Sequence, residues 1–88
     1  MTVYDKIVLT FGRKFEGRLL PEILEGAMNY VGHGEARLAF EILCDHIAEH
    51  DVVITLAEYN EAIILAEEMG SNFEELPFVY IRKNLVVD

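Results

Sequence analysis

The chain has 88 residues, 52% of them hydrophobic, and a formal net charge of −9, which describes one domain with a thin core and no room for a deep cleft. Between Leu19 and Ile81 the only strong base is Arg37, against thirteen Asp and Glu. Such a surface repels phosphate backbones and anionic lipid and attracts basic partners, so neither nucleic acid nor a membrane is the expected partner.

Apolar residues recur at helical spacing along most of the chain. Tyr4, Ile7, Val8, Phe11 and Phe15 form a first stripe, predicting a helix over 3–16 with Gly17 as its stop. Pro21, favoured in a first turn, opens a second helix over 21–31 through Ile23, Leu24, Ala27, Met28 and Val31. Gly32 is the expected left-handed cap of that helix, within the turn "GHGE". A third helix, 35–50, carries Ala36, Ala39, Phe40, Leu43 and Ile47, and "DVVIT" reads as a short connection. Thr55 and Glu58 make a capping box that starts a fourth helix, 56–69, through Tyr59, Ala62, Ile63, Ala66 and Met69 to Gly70. The tail 71–88, with Pro77 and β-branched residues, reads as extended or irregular, covering one end of the core. The expected fold is all-α, a compact antiparallel bundle of about four helices forming a single domain over 1–88.

No apolar run approaches the roughly 20 residues of a membrane-spanning helix. The opening "MTVYDKIVLTFGRKFEG" lacks the order of a secretory signal, and one cysteine, Cys44, gives no internal disulfide framework, so the expected compartment is the cytoplasm.

The stretch "CDHIAEHD" contains His46, Glu49 and His50 in the H-x-x-E-H spacing of one zinc-peptidase class, where two histidines hold the metal and the glutamate activates water. A catalytic zinc needs a third protein ligand and an open fourth position. His33 lies more than three helical turns from His50, and only 38 residues follow His50 to supply a distant ligand. On the wheel both histidines fall on or beside the apolar face, and the motif reads as coincidence on a packing helix. Cys44 flanks the same face, where Asp45 and Glu41 would hold its thiol pKa up. No catalytic residue, metal or cofactor is expected, and the chain does not read as an enzyme.

The acids are more informative. Glu41, Asp45 and Glu49 repeat at i, i+4 and i+8 with no Lys or Arg interleaved, an arrangement that costs an isolated helix a few tenths of a kcal/mol per pair. Glu61 and Glu68 repeat it on the fourth helix, with Ile64 between them on the side away from the core. An apolar residue inside a charged rim is what a partner-facing patch looks like. The expected partner contacts are Glu41, Glu49, Asp51, Glu58, Glu61, Ile64 and Glu68. Reversing Glu58 and Glu61 to lysine is expected to slow association and leave the fold intact.

The run from His33 to Gly70 resembles the MafI-type immunity proteins of bacterial polymorphic-toxin and contact-dependent growth inhibition systems. The matching residues are His33, Gly34 and Glu35, then Ala39 and Glu41, then Leu43, Cys44 and Asp45, then Asp51, and then Glu58 and Tyr59. The resemblance spans about 40 residues. It implies a cytoplasmic antidote that binds a cognate toxin domain and occludes its active site or an adjacent exosite; it does not identify the toxin, and it is the acidic surface that makes a basic nuclease the expected target. It also implies a structural part for Asp45, accepting bonds from the loop that follows. The rival reading is a non-catalytic helical adaptor or regulatory subunit, in one form a homodimer, and a third reading is a metal-binding protein that uses His46 and His50.

Overall fold

Thr2 caps the first helix: its hydroxyl accepts from the Asp5 N–H at 3.1 Å while the Asp5 carboxylate accepts from the Thr2 N–H at 2.9 Å. This reciprocal box satisfies two N–H groups that a helix start leaves without partners. Helix α1, Val3–Arg13, follows in a computed structural model that describes residues 2–71 and 81–86. Then come α2 (Pro21–Asn29), a 3-10 turn (Tyr30–His33), α3 (Ala36–Glu49) and α4 (Leu56–Glu68), an all-α bundle.

Two of the predicted boundaries move. The first helix ends at Arg13 rather than residue 16, because Phe15 and Glu16 donate to carbonyls only three residues back, at Gly12 and Arg13. The second changes into a tighter 3-10 turn at Tyr30, which carries the chain past Gly32. The left-handed residue is therefore Gly34, at φ +76°, and not Gly32. There Glu35 N–H donates to Tyr30 O and Gly34 N–H to Val31 O, the paired bonds of a Schellman closure. The end of α4 repeats the closure, with Gly70 at φ +79° and Ser71 N–H on Ala66 O at 2.7 Å.

Helix α3 closes in the same way with a different residue. Val52 N–H donates to Ile47 O and Asp51 N–H to Ala48 O, which places Asp51 at φ +50°. Asp51 is the one non-glycine residue at positive φ among those described.

Helices α1 and α2 both pack on α3. Phe11 is at the centre, with its ring 5.3 Å from Phe15 edge-on and 5.8 Å from Phe40. Around it Val8, Leu43, Cys44, Ile47, Ile54, Ala66 and Ile81 are buried. Tyr4, expected in the first stripe, is instead 39% exposed.

The connection "DVVIT" and the tail supply a feature that helical periodicity does not show. Ile54–Thr55 (β1) pairs in parallel with Leu85–Val86 (β2), Ile54 facing Leu85 in register. A 3-10 turn, Arg82–Asn84, precedes β2, and the Asn84 side chain donates to Ile47 O at 2.8 Å. The tail residues described thus dock on the core as expected, in an ordered strand and turn. The extended or irregular reading for 72–80 and 87–88 lies outside the described residues.

Candidate functional site

The seven acid and apolar positions expected to meet a partner separate into three kinds. Glu58 is held inside the fold. The Arg18 guanidinium donates to both its carboxylate oxygens, at 2.8 and 2.6 Å, and the Thr55 N–H donates to one of them at 3.0 Å. Those donors hold its pKa down to about 2, with the Arg18 hydrogen bonds the largest cause, opposed by desolvation. Arg18 also donates to Lys14 O and Val53 O and lies 4.5 Å from the Phe15 ring centroid, so it joins the end of α1 to the start of α4. The capping box expected at Thr55 and Glu58 is present in full.

Glu41 and Glu61 are tied less deeply. The Arg37 Nε donates to Glu41 at 3.3 Å and to Ser71 at 3.2 Å, and the Ser71 hydroxyl donates to Glu41 at 2.7 Å. Arg37, one turn ahead of Glu41, therefore offsets the first acid of a row in which no interleaved base is expected. Glu61 accepts from Lys14 at 2.9 Å across an exposed surface, where such pairs contribute little.

The side chains of Glu49, Asp51 and Glu68 make no ion pair or hydrogen bond among the described residues, and all three residues are exposed. Glu67, beside Glu68, is likewise exposed. Ile64 is 55% exposed. At 100° per residue, Glu61, Ile64 and Glu68 share an arc of about 60° on α4, so the helix places the apolar residue against the carboxylates.

Position along the helix matters as much as exposure. Glu49 is the last residue of α3 and Asp51 lies just past it; Glu67 and Glu68 end α4, whose last turn contains no base. These are the negative ends of the helix dipoles, where a carboxylate is disfavoured by about 0.3–1 kcal/mol. Asp45 follows the like-charge logic too: its carboxyl pKa is raised by partial desolvation first, opposed by His46, and further by Glu41 and Glu49. It is exposed, and among the described residues it accepts no bond from the following loop.

The "CDHIAEH" stretch divides between core and surface. Cys44 is fully buried, and burial pushes its thiol up, with Asp45 and Glu41 adding to the effect. His46 is half-buried and His50, expected to be packed on the apolar side, is instead the exposed C-cap of α3. Their rings stack at 5.8 Å, and one ligand atom each from His46, Glu49 and His50 lies within 4.8 Å of the others.

A cleft of about 440 Å³ elsewhere has an apolar lining of Leu19, Pro21 and Leu24 together with Glu16 and Glu25. No helix among the described residues is long and apolar enough to cross a membrane. Comparison with models of known protein families, with curated proteins and with solved structures gives no match to this chain.

Proposed function

We propose that this chain is an immunity protein that binds and neutralises a basic toxin domain, a nuclease by preference, through the acidic ends of α3 and α4. The observation that carries the reading is the placement of free carboxylates where they work against the fold. Glu49, Asp51, Glu67 and Glu68 lie exposed at helix C-termini, and Asp51 occupies a left-handed position that glycine would fill with less strain. A charge that costs stability and is retained on the surface suits recognition, because complementary fields raise association rates toward roughly 10⁸–10⁹ M⁻¹s⁻¹ at low salt. Glu61, Ile64 and Glu68 add an apolar contact inside an acidic rim. In this reading Glu58 is a structural residue and contacts no partner directly.

The residues that resemble the MafI-type proteins have positions of their own in this fold. Gly34 closes the turn before α3, Glu35 is its N-cap, and Leu43 and Cys44 are core. They are structural positions in this fold, and it is the surface charge that supports the inhibitory role. Affinity purification of the tagged chain from its native host at low salt, with mass spectrometry of companions present in equal amount, tests the proposal. The expected result is a basic polypeptide whose toxic activity falls to zero as this chain is added to one equivalent. Recovery of the chain alone, from cells shown to express a candidate toxin, would count against the antidote reading.

The adaptor reading draws on Val53 and Leu56, which flank β1 and are each 51% exposed. Light scattering after gel filtration decides it: a dimer that dissociates on Leu56→Glu favours the adaptor.

A further inference from the structure

We propose that His46, Glu49 and His50 form a surface site for one divalent transition-metal ion of the zinc type. A hydrolytic centre would use Glu49 to activate water and would need a third ligand from another part of the chain. The geometry offers a different use of the same three residues. Because α3 runs to Glu49 and His50 caps it, the three side chains project from one face of its last turn, with their donor atoms within 4.8 Å of one another. Zinc–nitrogen and zinc–oxygen bonds of about 2.0–2.2 Å place tetrahedral donors roughly 3.3–3.5 Å apart. Glu49 and His50 are exposed, so their side chains have room to turn toward a common ion.

Three further observations favour a cation at this place. Neither imidazole is engaged in a side-chain hydrogen bond among the described residues, and Nδ1 of His46 is buried without a partner, so the ring nitrogens are not already committed elsewhere. The turn lies at the negative end of the α3 dipole. Asp45 and Asp51, both exposed, flank the three residues in sequence and add negative charge. Two imidazoles and one carboxylate suit zinc, nickel or copper over calcium or magnesium, and three protein donors leave a fourth tetrahedral position for water or an outside ligand. The site is independent of any toxin and binds without chemistry of its own.

Isothermal titration of the full chain with Zn²⁺ tests this, with Co²⁺ absorption in the visible as a second readout of coordination. One ion per chain is expected, with a tetrahedral Co²⁺ spectrum. His50→Ala removes an exposed ligand and is expected to weaken binding at least about tenfold, since even changes outside the ligand shell cost about 10–100-fold. Glu49→Gln is expected to weaken it several-fold, and Glu22→Gln, an exposed acid on α2, to leave it unchanged. Circular dichroism checks that each variant keeps its helices. Failure of the wild-type chain to bind Zn²⁺ at millimolar concentration would overturn the proposal. So would equal binding by wild type and His50→Ala, or an equal loss in Glu49→Gln and Glu22→Gln, either of which would mean general attraction to an acidic surface.

Discussion

Glu58→Lys separates a structural acid from a recognition acid. The ordinary glutamate value of 4.5 falls to about 2 in the folded chain. At about 1.4 kcal/mol per pH unit, that difference sets a ceiling of ~3 kcal/mol on what the charged form contributes. The side chains of Arg18 and Glu58 are 27% and 12% exposed, so solvent screening reduces the pair to about 2 kcal/mol. That figure already includes the bond to the Thr55 N–H, which is one of the causes of the lowered pKa. A loss of about 2 kcal/mol is a large share of the ~4–13 kcal/mol expected for a chain of this length. Reversal to lysine therefore threatens the fold, contrary to the expectation from charge pattern alone. Urea denaturation at pH 7 measures it, with Glu58→Gln as the variant that keeps an acceptor for Thr55. Because the folded pKa is the lower one, the pair contributes fully above about pH 4.5 and is lost as pH falls toward about 2. The wild-type chain and Glu58→Gln should differ by about 2 kcal/mol at pH 7 and converge near pH 2. A Glu58→Lys chain within about 0.5 kcal/mol of wild type at pH 7 would refute the reasoning, as would a Gln variant whose deficit ignores pH.

Glu61→Lys is the cleaner probe of recognition: its exposed pair with Lys14 is worth less than about 1 kcal/mol, so stability should scarcely move while association with a basic partner slows at low salt, read by stopped-flow fluorescence. Asp51→Gly should raise stability by about 0.5–1 kcal/mol in the same urea titration, since glycine relaxes the left-handed position, and should slow partner association. Cys44 should resist a thiol reagent such as dithionitrobenzoate in the native state and react at a rate set by unfolding, because its thiol is fully buried and held protonated.

Signals local to one turn were legible in the sequence, and signals between elements were not. The Thr55–Glu58 box, the opening at Pro21 and the stop at Gly70 each depend on residues within four positions, and all three are present. The Thr2–Asp5 box is less visible, because aspartate stands where the usual pattern has glutamate. Periodicity favours Gly32 over Gly34, because nothing in it marks where an α-helix tightens into a 3-10 turn. The pairs Lys14–Glu61 and Arg18–Glu58 span 47 and 40 residues, so they depend on the register of one helix against another, which a helical wheel does not contain. That is why Glu58 and Glu61 looked free. The parallel pairing of Ile54 with Leu85 is hidden for the same reason, though the β-branched run at 52–55 hints that the connection is extended. At the acidic ends, Glu49, Glu68 and Ile64 were placed by spacing alone, because exposure on a helix is a matter of its own period.

The bond from Asn84 to the Ile47 carbonyl has a dynamic consequence. That carbonyl also receives the Val52 N–H, so one oxygen fastens both the closing turn of α3 and the segment ahead of β2. Release of 81–86 exposes Ile54 and strips a partner from the turn that carries Glu49, His50 and Asp51. These parts should open as one cooperative unit, below the free energy of global unfolding. Amide hydrogen exchange would show it as matched protection at Val52 and Leu85, falling together in Ile81→Ala while the amides of Phe11 and Phe40 stay slow. Anything that grips the end of α3, whether a metal ion or a basic partner, would then slow exchange in the tail that it never touches.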